Sequence, residues 1–423
     1  MQVTDIGELV RQSMMVLAII IIAAKLGGEL MGRMGQPPVL GELVMGVILG
    51  NLNLIGFTLL DPLKTNSTVR MVGEIGAILL LFEVGVESDL VQLLAVGWSS
   101  LMVATLGVIA PMILGYIVST QLLPDANWLT HLFVGGTLTA TSVGITARVL
   151  KDLDRSVTTE ARIILGAAVA DDVIGLIVLA VVSGLVGAAM SGSGAAGIQF
   201  TQILWIILKA GLFLALAVVV GRYWSSRVFH YAARLRVSGA LLSLCICFCF
   251  AVATISGLVG LAPIVGAFAA GVVLEEVHYR PFTMRGERRV QELLYPITTL
   301  IVPVFFVLMG LRVDLRSFAS PSVLGFAALI TVAAILGKQV CGLGVLERGV
   351  DRLVIGVGMI PRGEVGLIFA GMGSTLMLNG RPVLSSSTFS ALVLMIMLTT
   401  FITPSALKLA FERSKVAVTA DVE

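Results

Sequence analysis

From Ile163 to Leu185 the chain runs for 23 residues whose only charged members are Asp171 and Asp172. At about 1.5 Å per residue that run is long enough to cross a bilayer as one helix. Carboxylates near the middle of such a run are costly. Ionisable groups at that depth face a water-filled path or a charged partner, and they mark ion or proton routes. Neighbours on a helix point about 100° apart, so the two aspartates cannot face the same thing equally. One can line an ion path while the other meets a partner inside the protein. The competing reading is a pair of structural carboxylates neutralised by protons or helix caps, in the costliest place for such caps.

The rest of the chain is of the same kind. Hydrophobic residues make up 57% and charged residues 13%, and mean hydropathy is +1.02. An ordinary soluble domain is roughly a quarter charged. The chain therefore reads as an all-α polytopic membrane protein. Hydropathy gives thirteen spans: Leu9 to Met31, Val39 to Phe57, Met71 to Val86, Leu90 to Leu122, Leu129 to Val149, Ile163 to Leu185, Ile203 to Val220, Gly239 to Ser256, Leu258 to Leu274, Leu293 to Leu311, Val323 to Val345, Leu353 to Leu376 and Thr388 to Ala410. The first apolar run follows Asp5, Glu8 and Arg11 and lacks a small-residue cleavage site, so it reads as an uncleaved span. The tail after Phe411 is short, and any regulatory module is expected to be a separate chain. The net charge of +2 says little about partners, since the distribution of charge matters more, and no nucleic-acid partner is expected. Cys245, Cys247, Cys249 and Cys341 lie in apolar runs, with no His or acidic cluster beside them, and read as packing residues. No cofactor is expected. Nor is an enzyme, because no nucleophile–base pair or metal-ligand set is apparent.

Basic residues set the orientation. With thirteen spans, 18 Lys and Arg fall in loops on one side, from Arg33 to Lys415, and 6 on the other. The richer side is read as cytoplasmic, which puts the N-terminus outside and the C-terminus inside. Lys25, Lys209, Lys338 and Arg362 fall within spans or at their ends.

Two separated segments recur at one offset. Pro38, Gly41, Gly46 and Leu49 match Pro263, Gly266, Gly271 and Leu274, and Gly85, Asp89 and Leu90 match Gly310, Asp314 and Leu315, all 225 residues later. The matched spans stand seven apart, an odd number, so the copies point opposite ways. Such an inverted-topology repeat is a signature of secondary transporters, whose sites lie where a helix of each half is interrupted near the midplane. The candidates are spans 5 and 12. Span 5 holds Thr139, Thr141, Ser142, Gly144 and Thr146, hydroxyls and a glycine able to cap half-helices and offer oxygens to a small cation. Span 12 holds Gly356, Gly358, Pro361, Arg362, Gly363, Glu364 and Gly366. Proline and glycines are poor continuous-helix formers. There Arg362 can compensate the negative end of one half-helix and Glu364 the positive end of the next.

Depth counted from the basic loops agrees. Asp171 lies roughly 13 Å in from Arg162, Lys338 roughly 15 Å from Arg348, Pro361 roughly 13 Å from Arg352 and Thr141 roughly 10 Å from Arg148. Lys338 is thus the natural partner of one aspartate, and the trio can trade protons. Of the other acidic residues, Glu42 and Glu74 suit a vestibule or helix ends, and Glu83 has no evident partner. His131, His230 and His278 read as solvated or interfacial.

At this point the residues resemble a family. Ala140–Leu150, Gly166–Gly175, Leu336-Gly-Lys338 and Pro361–Gly366 look like bacterial sodium/proton antiporters, and most like the NapA-type members of the monovalent cation:proton antiporter-2 family. The resemblance covers nearly the whole chain. It implies exchange of Na⁺, or Li⁺, for H⁺ across a bacterial inner membrane, electrogenic and by alternating access. Asp172 would bind cation or proton in turn and Asp171 would pair with Lys338, with Asp172, Asp171 and Thr141 meeting the Na⁺. The resemblance also implies a homodimer in membrane lipid. Residues 1–90 and 238–312 would form a dimerisation domain, 91–187 and 321–411 a moving core, 200–222 a linker helix and 412–423 a cytoplasmic tail. Glu83 departs from the pattern, which has an apolar residue there. Rival readings are a K⁺/H⁺ antiporter or K⁺-efflux protein on the same scaffold, a sodium-coupled solute symporter and a passive channel. A symporter needs a larger polar pocket than the sequence shows, and adjacent carboxylates with a lysine suit exchange better than a pore.

Overall fold

The structure is a computed structural model, and it describes residues 6–56, 66–87, 97–153, 155, 158–190, 200–232, 239–274, 288–378 and 380–420. Nearly all of these are helical. In chain order the helices are α1 (Ile6–Arg33), α2 (Pro38–Gly50), α3 (Ser67–Glu87), α4 (Trp98–Leu122), α5 (Trp128–Thr137), α6 (Val143–Asp152), α7 (Thr159–Ala188) and α8 (Phe200–Ala232). They continue as α9 (Ala240–Leu258), α10 (Pro263–Val273), α11 (Val290–Leu311), α12 (Pro321–Val340), α13 (Arg352–Gly358), α14 (Glu364–Thr375) and α15 (Ser386–Ala420). A two-stranded hairpin, β1 (Met377–Leu378) with β2 (Arg381–Pro382), precedes α15. Among the described residues seven helices are long and apolar enough to cross a membrane. The expected spans at Val39–Phe57 and Leu258–Leu274 fold as much shorter helices, α2 and α10. Each begins on a proline at its first position, which supplies a preset φ and needs no donor there. Lys64, Asp89, Leu90, Arg234, Arg236, His278, Arg280 and Arg285 lie outside the described residues, as does the side chain of His230.

The chain divides into two compact units, Met1–Asp89 with Ile207–Leu315, and Leu90–Ile206 with Arg316–Glu423. In the first unit, α3 packs on α10 and α11, and α2 packs on α1 and α11. Glycines set these crossings. A Cβ at Gly46 would stand 2.2 Å from the Val307 carbonyl oxygen, and one at Gly310 2.2 Å from that of Leu43. At the second crossing, a Cβ at Gly271 would stand 2.3 Å from the Phe82 oxygen, and one at Gly85 2.4 Å from that of Phe268. Backbones this close exclude every side chain, and small residues are the means by which membrane helices pack. Asn51 joins the ends of α2 and α11: its amide donates to the carbonyls of Val47 and Val313, both at 2.8 Å, and it accepts from Leu315 N at 3.0 Å. Glu83 has a partner that the sequence did not reveal. Thr298 Oγ1 of α11 donates to its Oε1 at 3.0 Å, a hydrogen bond that links two membrane helices.

In the second unit, α4 and α12 lie side by side, and α7 packs on α4 and α5. Gly337 of α12 meets the backbone of Pro111 in α4, where a Cβ would stand 2.7 Å from the proline Cα. The core joins Val103, Ile164, Ala168, Val354, Ile355, Met359 and Leu407. His131 is a correction to the sequence reading. It is buried, 5% exposed, its Nδ1 lies 2.8 Å from Ser119 Oγ, and Tyr116 meets its ring edge-on. It stands in the first turn of α5, at the span edge where sequence placed it, but that turn faces α4 and buries the ring against Ser119.

Candidate functional site

Two of the expected spans are each broken into two helices. The span at Leu129–Val149 splits into α5 and α6, and that at Leu353–Leu376 into α13 and α14. The causes are local and differ. At the second break Ile360 precedes Pro361, and a residue before proline is pushed out of the helical region. At the first, hydroxyls compete with the backbone ladder: Thr137 Oγ1 takes the Phe133 carbonyl and Thr139 Oγ1 that of Gly136, each at 2.8 Å. Side chains fix the starts of the half-helices. Asn127 caps α5, accepting from Leu129 N at 3.0 Å, and Asp351 caps α13, accepting from Leu353 N at 2.8 Å. Such caps contribute about 1 kcal/mol each.

The breaks meet. Ser142 N donates to the Pro361 carbonyl at 2.9 Å. Thr141 Oγ1 donates to the Met359 carbonyl at 3.2 Å, and Thr146 Oγ1 to that of Gly358 at 2.8 Å. A Cβ at Gly363 would stand 2.6 Å from Ser142 Oγ, so the close approach requires glycine there. Thr400 of α15 donates to the Arg362 carbonyl. The carbonyls that the break in α13–α14 releases are therefore paired one by one.

The helix ends are neutralised in the same compact space. The Arg362 guanidinium is fully buried. It donates to the Ile360 carbonyl just after α13, to the Leu138 carbonyl at the end of α5 at 2.7 Å, and to Ala334 O of α12 at 3.1 Å. One cation thus serves the negative ends of both leading half-helices. Sequence pointed to the end of α13 alone; the bond to α5 spans 224 residues and left no local signal. Glu364 opens α14 and accepts from Ser142 Oγ at 3.3 Å, where α6 and α14 both begin and a negative charge is favoured.

Asp171 and Lys338 lie beside this crossing. Lys338 Nζ is 3.2 Å from Asp171 Oδ2 and 3.3 Å from Oδ1, and neither side chain is exposed. Gly107 of α4 makes room, since a Cβ there would stand 3.3 Å from the ammonium. Asp172 is 5% exposed. Its Oδ1 is buried and has no hydrogen-bond partner among the described residues, although Glu364, Asp171 and Lys338 lie within electrostatic reach. A buried carboxylate oxygen without a donor is costly and is open to a proton or a metal cation. The structure thus gathers all eight candidate residues in one unit: Asp171, Asp172, Lys338, Thr141, Ser142, Thr146, Arg362 and Glu364. The hydroxyls of Thr141 and Thr146 donate to carbonyls and keep their oxygen lone pairs as acceptors, and Asp172 keeps an Oδ1 without a donor among the described residues. No group of three or more metal-ligating side chains of the His, Cys, Asp or Glu type occurs among the described residues.

Comparison with known proteins places this geometry. The family profile described as sodium/hydrogen exchanger, transmembrane, matches residues 16–413. The high-affinity Na⁺/H⁺ antiporter NhaS3 of Synechocystis sp. is 37% identical, over 97% of this chain and 93% of its own. The Na⁺/H⁺-K⁺ antiporter GerN of Bacillus cereus is 35% identical, over 93% of this chain and 95% of its own. The structure of the sodium proton antiporter MjNhaP1 from Methanocaldococcus jannaschii superposes with a TM-score of 0.71, covering 95% of this chain and 99% of that one, at 17% identity. At that identity the likeness is one of fold.

Proposed function

The chain belongs to the transmembrane sodium/hydrogen exchanger family, and from that premise we propose that it exchanges Na⁺ for H⁺ across a bacterial inner membrane by alternating access. It is a multi-pass membrane protein. The observation that carries the reading is the open Oδ1 of Asp172, buried beside the Asp171–Lys338 pair where two broken helices meet. In this cycle Asp172 holds Na⁺ or a proton in turn. Asp171 and Lys338 hold one another while Asp172 is loaded, and the lysine gives up its proton when the pair opens, so that net charge moves. Arg362 and Glu364 fix the half-helix ends around the ion.

The glycine crossings of the first unit support the inverted repeat. Gly46 on Gly310 and Gly271 on Gly85 are the same contact with the roles of the halves exchanged, because 46 maps to 271 and 85 to 310 at the one offset of 225. A third pair follows. Gly41 approaches Gly27 of α1, and Gly266 approaches Val252 of α9, where 27 maps to 252. On this reading α2 and α10 are short spans of a thirteen-span chain with its N-terminus outside. Residues 1–90 and 238–312 then hold a homodimer together, and 91–187 and 321–411 move as the core.

Purified protein in liposomes under a pH gradient should collapse that gradient when Na⁺ is added. A gradient untouched by Na⁺ would refute the assignment. The name of the Bacillus cereus relative includes K⁺, so K⁺ is the second substrate to assay in the same vesicles. Cysteines at Thr141 and Ser142 should change thiol accessibility between faces when the gradient is reversed. Accessibility fixed on one face would argue for a static vestibule.

A further inference from the structure

A groove in the first unit belongs to no part of the ion site. It lies between α8 and α9, has a volume of about 420 Å³, and is lined by Leu212, Leu216 and Val220 of α8 and Phe248, Val252 and Ile255 of α9. At one end it closes, where Gly221 brings α8 onto α10: a Cβ there would stand 3.0 Å from Val273 Cγ2. At the other end stands Lys209, the one charged residue lining the groove among the described residues. Its ammonium donates to the Val259 carbonyl, 2.9 Å away at the end of α9. An ammonium has three donors, and the other two have no acceptor among the described residues.

The aromatic residues of α8 set its depth. Trp205 and Tyr223 are 60% and 58% exposed, and residues of this kind sit at the two membrane–water interfaces. They are 18 residues apart, about 27 Å along a helix, close to the roughly 30 Å hydrocarbon thickness. Lys209 lies one turn inward of Trp205, a depth from which a lysine stem reaches back to the interface. From Lys209 to Val220 is about 17 Å, roughly half the hydrocarbon thickness and so the depth of one leaflet.

We infer that this groove holds one acyl chain of an anionic phospholipid whose phosphate is bound by Lys209. The charged end lies at headgroup level, the apolar channel has the length of a single leaflet, and the lysine retains donors for a phosphate. The lipid would wedge α8, the helix that runs from one unit into the other, against α9.

Native mass spectrometry of the delipidated protein, titrated with phosphatidylglycerol and separately with phosphatidylcholine, tests this. The wild type should keep one tightly bound phosphatidylglycerol per chain in preference to phosphatidylcholine. Lys209→Gln should lower phosphatidylglycerol retention about tenfold, the worth of one charge-assisted bond, with Lys209→Arg retaining most of it. Ala217→Phe should fill the groove and reduce retention of both lipids. Thermal unfolding identifies any variant that fails to fold, and the lysine pair decides alone if Ala217→Phe does. Equal retention of both lipids, or no effect of Lys209→Gln, overturns the assignment. A shift from dimer to monomer with unchanged lipid retention overturns it too, because the occupant is then a second copy of the chain.

Discussion

The pair Lys338–Asp171 admits a quantitative test. Both side chains are fully buried, and the ammonium lies within 3.3 Å of both carboxylate oxygens. Removing one partner of such a pair leaves an uncompensated buried charge at a cost of about 3–5 kcal/mol, part of which the survivor recovers by neutralising itself. Asp171→Asn should be costly because Lys338 lies in a space shaped for a cation against Gly107. Lys338→Gln should be costly because it leaves Asp171 beside Asp172. The double variant Lys338→Gln/Asp171→Asn removes both charges and restores a neutral amide pair. Its loss should fall short of the sum of the single losses by about 1 kcal/mol or more, a coupling typical of residues in contact. Unfolding of all four proteins in mixed micelles measures the cycle, and currents on supported membranes measure the charge moved. The lysine-free protein should move less net charge per cation. Additive losses together with unchanged currents would refute both the contact and its place in the cycle, and leave Lys338 as a compensator of the nearby helix ends.

Asp172→Asn should abolish sodium-dependent proton movement while folding and insertion persist; robust exchange by the folded variant would remove Asp172 from the mechanism. Because a protonated Asp172 is neutral and cannot hold a cation, the half-saturating Na⁺ concentration should rise as pH falls, and a fall in maximal rate at unchanged half-saturation would contradict competition at one carboxylate. Arg362→Lys keeps the charge but loses the planar fork that reaches three carbonyls; a loss of about 2 kcal/mol or more in unfolding, at roughly 1.5–3 kcal/mol per charge-assisted bond, is the expected result. Gly46→Val and Gly271→Val should each destabilise by about 1–3 kcal/mol through overpacking, whereas Gly32→Ala, with nothing within 4 Å of its Cβ, should be near neutral in the same melt.

What the chain determines by itself is local or additive. Apolar length set the helices, Pro361 set one break, the hydroxyls and glycine between Thr139 and Thr146 marked the other, and the counted depths put Asp171, Lys338, Pro361 and Thr141 at one level. The shared offset of 225 was legible because the glycines that allow close crossings are visible as residues. The three-dimensional arrangement decided direction. A residue's depth follows from its position along a helix, but what it faces follows from the rotation and crossing of helices hundreds of residues away. So the reach of Arg362 to Leu138, the bond from Thr298 to Glu83 and the burial of His131 against Ser119 had no signal in the sequence. At the centre of the site, residue counting put Lys338 level with the aspartates but did not say which of the two it meets. Adjacent aspartates must face different surroundings, but it is the packing of α12 on Pro111 and Gly107 that brings Lys338 to Asp171, and so leaves an oxygen of Asp172 open.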